Sequence, residues 1–372
     1  MMLATSSTAC VLALVGSTLL AGCELLAPFP ELASTSSSGG PDGGGPDGTD
    51  SRGFSEPVRL SLATSAPIHA LAVANVAGDT SFDLVITTEN ELIFQQGSGD
   101  GTFGSPPQSL SVSGPLVATA VAEVTGDSRR DLIVASAQQL FILPTQQDGF
   151  AEPISLTLAG TTLISSIVAG QLVGDSRTDL VIGANDGAWL FRADGDASFA
   201  QSHQTQYLDV VTVAVADVAP AQGLEEIVVE PRRISVSGVS HHDEFELASA
   251  ISDMVTADLD GDGYRELIVG SETAIEVVFP TSDRRTEAVL EDRRYGLASG
   301  DFDGDGDADV VTTTGGDVIV FWNDQGKLSP SVVASGVAVG ATAITAAKID
   351  GDNRSDIVLG IANDVAVLLT AL

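Results

Sequence analysis

Short apolar runs alternate with polar turns along most of the chain. "HALAVANV" (69–76), "DLVITT" (83–88) and "ELIFQQ" (91–96) follow one another closely, and "GDGTFGSPPQSLSV" (99–112) completes the group. Runs of this length, rich in Val, Ile and Leu and bounded by Gly, Asp and Pro, predict strands joined by tight turns. The first three runs are apolar on nearly every position, as expected for strands buried on both faces. The fourth is weaker and more polar.

The same order returns. Aligning each acidic loop with the strand after it gives "ANVAGDTSFDLVI" (74–86), "AEVTGDSRRDLIV" (122–134), "GQLVGDSRTDLVI" (170–182), "ADVAPAQGLEEIVV" (216–229), "ADLDGDGYRELIV" (257–269), "GDFDGDGDADVVT" (300–312) and "AKIDGDNRSDIVL" (347–359). The acid that closes each loop falls at Asp83, Asp131, Asp179, Glu226, Glu266, Asp309 and Asp356, a step of 40 to 48 residues over seven units. A period of this size, built from short strands and Gly/Asp turns, predicts an all-β, seven-bladed β-propeller over residues 54–372. The fourth strands are expected to begin at "FGSP" (Phe103), "FAEP" (Phe150) and "LSPS" (Leu328). The related phrase "FSEPVRLSL" stands at Phe54, ahead of the first complete unit, whereas the last unit ends after its third strand, "DVAVLLTAL". Residues 54–63 are therefore expected to complete the seventh blade, pairing two sheet edges that would otherwise be open.

These units resemble the FG-GAP and VCBS repeats of integrin α-subunit propellers and of many bacterial surface proteins. "GSGDGTF" (97–103) is similar to the VCBS phrase, while the Gly-Ala-Pro element is replaced by "TTEN", "GAND" or "GSET". The resemblance speaks for the fold more than for function, because one scaffold serves many tasks.

The loop D-x-D-x-D-x-x-x-D carries the most specific chemistry. In a tight turn alternate side chains converge, and glycine supplies the positive φ that bends the chain around them. Hard carboxylate oxygens gathered in this way suit Ca²⁺, which takes six to eight oxygen ligands. Asp301, Asp303, Asp305 and Asp309 offer side-chain oxygens and Asp307 a backbone carbonyl; Asp258, Asp260, Asp262 and Glu266 do the same with the carbonyl of Tyr264. The resemblance assigns the same positions to calcium. A weaker site is expected at Asp350, Asp352 and Asp356, where Lys348 takes the first ligand position. The second unit offers Glu123, Thr125, Asp127 and Asp131. The first and third carry Ala77 and Val173 at the third position, and the fourth reads as a lost loop with one extra residue.

Charge narrows the function. A net charge of -35 excludes general affinity for nucleic acid and argues against electrostatic docking to anionic lipid. The first 22 residues carry no charged side chain, and "ACVLALVGSTLLAG" (9–22) is too short to span a bilayer, so it reads as an export signal. It ends in "LLAGC" (19–23), which resembles the lipobox of bacterial lipoproteins; there the cysteine, here Cys23, carries the lipid. Residues 24–53 are rich in Gly, Ser, Pro and Asp, the composition of a flexible tether with a reach of roughly 30 Å. The expectation is an exported protein, lipid-anchored in the cell envelope. Glu24, rather than the aspartate associated with inner-membrane retention, favours the outer membrane or cell surface.

Catalytic phrases are missing: there is no Gly-x-Ser-x-Gly, P-loop or dinucleotide fingerprint. The histidines are His69, His203, His241 and His242, and the adjacent pair in "SHHDEF" faces opposite ways on a strand. On the face opposite the acidic loops, Arg232, Arg233, Arg293 and Arg294 with Tyr295 form a candidate rim for an anionic or sugar ligand, since guanidinium groups pair with carboxylates. The expected role is non-catalytic: a calcium-stabilised surface for a glycan or for an envelope or extracellular protein. The alternatives are a structural subunit of a surface assembly or, less favoured, a polysaccharide lyase, for which Lys327 and Lys348 are the strong bases.

Overall fold

The computed structural model describes residues 52–371, apart from 63, 65, 78, 105, 111, 113, 138, 147–148, 159–162, 173–176, 196, 206, 208, 221–222, 239–241, 273, 283 and 291–293. The export signal, Cys23 and the body of the tether lie outside the described residues, as does Arg293.

Seven four-stranded antiparallel sheets form a seven-bladed β-propeller. The first blade is Ile68–Ala74, Asp83–Thr88, Leu92–Gln95 and Gln108–Leu110, and the second is Leu116–Ala122, Asp131–Ser136, Gln139–Leu143 and Ile154–Thr157. Next come Ile164–Gly170, Asp179–Ala184, Gly187–Gly195 and Ser198–Thr205, then Thr212–Ala216, Glu225–Glu230, Arg233–Ser237 and His242–Glu246. The fifth blade is Ile251–Ala257, Glu266–Ser271, Ala274–Phe279 and Arg284–Val289; the sixth is Arg294–Gly300, Asp309–Thr314, Asp317–Asp324 and Lys327–Ala334. The seventh takes Ala341–Ala347, Asp356–Ile361 and Asp364–Leu368, and its outer strand is Val58–Ser61 from the other end of the chain.

Period-two alternation explains why the second strands are buried along nearly their whole length, since successive side chains meet the two neighbouring blades. In Asp83–Thr88, Leu84 and Ile86 pack toward the seventh blade and Val85 toward the second. Each blade interface has its own apolar layer, so the core consists of seven layers arranged around the ring rather than one centre. Burying one such Val, Leu or Ile stabilises the fold by about 1.5–3 kcal/mol. Close packing between neighbouring blades excludes larger side chains at some second-strand positions. A Cβ on Gly183 would lie 2.8 Å from Val210, and one on Gly360 would lie 2.8 Å from Ile68.

The closure expected from the phrase at Phe54 is present: Val58, Arg59, Leu60 and Ser61 pair with Val367, Ala366, Val365 and Asp364. One detail differs. Phe54, Phe103 and Phe150 do not begin the outer strands. They pair singly or in a short hairpin with Thr370, Gly97 and Thr145, and the strands proper start at Val58, Gln108 and Ile154. Pro57, Pro106, Pro107 and Pro153 stand between, and a residue without an N–H cannot extend the ladder. In the sixth blade Leu328 does lie within a continuous strand, because Pro330 sits on the outer edge, where no neighbour needs its N–H.

A feature that the sequence did not reveal is a β-bulge near the start of six inner strands. It excludes His69, Val117, Ser165, Ser252, Gly296 and Thr342 from the ladder. These residues lie at the end of the ring away from the acidic loops.

Deleting residues 54–63 removes the outer strand of the seventh blade and the buried Leu62. The expected outcome is loss of cooperative thermal unfolding, read by circular dichroism. A cooperative melt at an unchanged temperature would overturn this account of closure.

Candidate metal centre

Each blade places a carboxylate at the head of its second strand. Asp83, Asp131, Asp179, Glu225, Glu266, Asp309 and Asp356 are all buried. Each accepts a backbone N–H from seven residues earlier: Val76, Val124, Leu172, Val218, Leu259, Phe302 and Ile349, at 2.6–3.3 Å. Five of them use the second oxygen to accept an N–H from fourteen residues later, at or just past the end of the third strand: Gly97, Thr145, Ala193, Asn323 and Thr370. One side chain thus fixes both the start of the loop and the exit of the third strand, so its first role is structural.

The fourth unit corrects the sequence reading. Glu225, not Glu226, occupies this position; it pairs with Ala216 just as Glu266 pairs with Ala257. The loop therefore contains no extra residue. A glutamate at either position of this adjacent pair satisfies the sequence pattern, and strand register selects Glu225.

Among the described residues, two groups of carboxylates bring three ligand atoms within 4.8 Å of one another: Asp258, Asp260 and Asp262, and Asp301, Asp303 and Asp309. In the second group Asp301 accepts the N–H groups of Gly304 (2.7 Å) and Gly306 (3.2 Å), which curls the loop around it. Gly304 and Gly306 have φ of 81° and 97°, as this curl requires. Asp305 falls outside the trio and accepts the N–H of Asp307, whose own carboxylate accepts that of Gln325. The loop at 258–262 follows the same plan, with Asp258 accepting from Gly261 and Gly263, and Asp262 from Tyr264. The candidate ligands Asp350, Asp352 and Asp356 carry the same turn bonds, with Asp350 accepting from Asp352 and Asp352 from Arg354. They form no such trio.

Glu266 is the telling member. Its Oε2 accepts the N–H of Leu259 at 2.6 Å, but its buried Oε1 has no hydrogen-bond partner. The residue fourteen positions later, which supplies an N–H in five other blades, is Pro280. A fully buried, unpaired carboxylate oxygen beside three further aspartates is costly unless a cation neutralises it. The donor set is all hard oxygen, and the residues present fit a calcium ion. Burial, reinforced by Asp260, Asp262 and Asp258, pushes the Glu266 carboxyl up to about 9. Burial likewise pushes Asp309 up to about 7, with Asp303 and Asp305 adding to it, and Asp356 up to about 6.

The arginine rim is only partly assembled. Arg232 is exposed and donates to the carbonyl of Ala248 at 2.9 Å. Arg233 is held by Glu230 and reaches Glu244 at 3.5 Å, so it braces its own blade. Arg294 and Tyr295 begin the inner strand of the sixth blade. His242 Nδ1 lies 2.9 Å from Ser237 Oγ across two outer strands, on an exposed face.

An FG-GAP-like repeat family model matches residues 301–359, the stretch from the acidic loop of the sixth blade to the second strand of the seventh. No curated protein matches the chain. Among solved structures, the fold is similar to BBS1N in complex with ARL6DN, in a lead-soaked crystal, with a TM-score of 0.64 and 14% identity over 86% of this chain and 96% of that one. The mercury-soaked form gives a TM-score of 0.64 at 14% identity, over 85% and 98%. The extracellular domain of the putative one component system BT4673 from B. thetaiotaomicron gives a TM-score of 0.56 at 13% identity, over 86% of this chain and 40% of that one. At these identities the likeness concerns the fold.

Two outcomes test the centre. Glu225→Ala leaves the N–H of Val218 unpaired in a buried site and is expected to cost about 1–3 kcal/mol. Glu226→Ala, at a half-buried position, is expected to cost less; equal losses in urea unfolding would return the closing role to Glu226. The second outcome concerns pH. A carboxyl whose pKa is raised by folding holds a proton that the unfolded chain has released, so stability falls as pH rises from about 4 through the folded values. Calcium favours the ionised form. The chelated protein should therefore lose melting temperature between about pH 5.5 and pH 8, and added calcium should raise it more at the higher pH, with Asp301→Ala, in the trio, removing part of the gain. At a hundredfold excess over Kd one filled site contributes about 2.7 kcal/mol. Identical melts in calcium and chelator at both pH values would defeat the reading.

Proposed function

We propose that this chain is an exported, lipid-anchored envelope protein whose calcium-stabilised propeller is a non-catalytic recognition surface for a glycan or protein partner. One observation carries the reading: where the chain enters the ring. Phe54 pairs with Thr370 and packs against Phe302 and Trp322, beside the acidic loop of the sixth blade. Everything upstream, including the tether and Cys23, therefore joins the propeller on its acidic-loop face. An anchor acting through that segment turns this face toward its attachment point. The opposite face, where the bulged residues and Arg232 lie, is left to face outward.

Charge agrees with this division. Carboxylates crowd the attached face, where a cation can neutralise them, whereas Arg232 projects from the free one. Two observations on similar folds support a docking role without assigning a partner. One such propeller, BBS1N, is found in complex with ARL6DN. Another belongs to an extracellular domain.

The test is binding of a soluble form lacking residues 1–51 to an array of bacterial glycans, in calcium and in chelator, together with pull-downs from envelope extracts. A calcium-dependent glycan hit that weakens in Arg232→Ala supports a lectin-like role. A stoichiometric protein partner with no glycan hit supports the scaffold form. Turnover of a polysaccharide would replace both with the lyase reading.

A further inference from the structure

In three blade pairs the turn between the third and fourth strands of one blade rests on the acidic loop of the blade before it. The turn of the sixth blade reaches the fifth blade's loop through Asn323 Nδ2, which donates to the carbonyl of Leu259 at 2.8 Å. Gly101, in the first blade, donates to the carbonyl of Ile349 in the seventh blade's loop at 3.2 Å, and Ala197 in the third blade to that of Val124 in the second at 3.0 Å. At the seventh blade the pattern meets the seam of the ring. No single turn joins its third and fourth strands, since one comes from each end of the chain. The acidic loop of the sixth blade is covered instead by the two ends of the folded chain.

The contacts at that seam are specific. Arg52 Nε donates to Asp303 Oδ2 at 3.0 Å, and the guanidinium lies 5.3 Å from the centre of the Trp322 ring. The Asp303 side chain is only 6% exposed, against 42% for Arg52. Two residues on, Phe54 packs against Phe302 and Trp322, while the carbonyl of Gly53 accepts the N–H of Ala371 at 2.8 Å. The other oxygen of Asp303 accepts the N–H of Asp305 at 3.2 Å. Both oxygens of this central member of the Asp301, Asp303 and Asp309 trio are thus engaged, one of them by a cation that the chain itself supplies.

We propose that Arg52 is a built-in counter-ion for the sixth-blade loop, and that a divalent cation bound there displaces it, releasing the root of the tether from the propeller. The inference rests on the calcium reading of the loops. A guanidinium and a divalent ion cannot both draw on Asp303 without repelling one another. The chain therefore has two states. Without the cation, the guanidinium lies between Asp303 and Trp322 and the chain is held to the ring at Arg52. With the cation, the grip at Arg52 is lost, and Gly53 and Phe54 become the first fixed points. Calcium would then set how freely the propeller moves on its tether, while the fold stays the same.

The position of Arg52 supplies its own probe, because trypsin cleaves after arginine and the Arg52–Gly53 bond lies at this seam. The full chain is digested in calcium and in chelator, and cleavage after Arg52 is followed by mass spectrometry. In parallel, calcium is titrated calorimetrically into the wild-type chain, Arg52→Ala and Arg52→Lys. Calcium is expected to speed cleavage after Arg52 several-fold, with no comparable gain at the other arginines. Arg52→Ala is expected to bind calcium at one site about fivefold more tightly, the size of effect set by a partly exposed ion pair, and Arg52→Lys to stay near the wild type. Equal affinity in wild type and Arg52→Ala, or cleavage after Arg52 that ignores calcium, would overturn the displacement while leaving calcium binding intact. No calcium uptake by any of the three proteins would overturn both.

Discussion

The buried carboxylate at the head of each second strand is the interaction on which the blade depends. In five blades it joins the backbone seven residues earlier to the backbone fourteen residues later, so the loop, the second strand and the exit of the third strand share one fixed point. Charge-assisted bonds of this kind are stronger than neutral ones, and removing the acceptor leaves buried donors unmatched. The cost of the arrangement is an anion in a dry site. In Asp309 and Asp356 two backbone donors offset much of that cost, whereas in Glu266 one oxygen is left without a donor because Pro280 occupies the supplying position. The same side chain that organises the blade thereby creates a buried site that is neutralised by a proton or by a cation.

Packing shares this modular logic. Because the second strands are buried on both faces, every blade contributes to two apolar layers and no blade can be removed without exposing both. The ring has one weak joint, where the seventh blade is assembled from the two ends of the chain. Hydrogen bonds concentrate there: Ser55 donates to Leu369, Ala371 to Gly53, and the Arg354 side chain to the carbonyl of Ala371 at 2.8 Å. Phe54 adds ring contacts with Phe302 and Trp322 in the sixth blade. Closure by pairing and packing is sufficient here, since the folded region contains no cysteine.

Much of this was legible in the sequence because the repeat states its rule seven times. The period, the alternation of buried strands and the duplicated F-x-x-P phrase predicted the architecture and its closure. What stayed hidden involved choices between neighbours or backbone events with no side-chain signature. Glu225 and Glu226 satisfy the same local pattern, and only strand register separates them. The bulges at His69, Val117 and the equivalent positions are shifts of backbone register, and the side chains involved share no single residue type. Arg233 reads as a rim residue by its position in a turn, yet Glu230 three residues away captures it. The orphaned oxygen of Glu266 could have been found: it needed only the count from the closing acid to Pro280.

The blades that lack an acidic loop clarify what the loop is for. The fourth blade reads "DVAPAQGLE" (217–225), with Ala219 and Ala221 where the fifth and sixth blades place their second and third aspartates, yet its closing acid still holds the N–H of Val218 at 2.9 Å. The first and third blades keep the bonds made by Asp83 and Asp179 while Ala77 and Val173 occupy the third loop position. The carboxylate that builds the blade is therefore separable from the carboxylates that could hold an ion. Had the acidic loops served folding alone, the fourth blade should have needed one as much as its neighbour. Instead, the paired trios stand in the fifth and sixth blades, and the second of them lies at the seam where Arg52 brings the upstream chain onto the ring. Extra carboxylates placed there, beyond what a blade requires, are what the proposed cation switch at the seam would need.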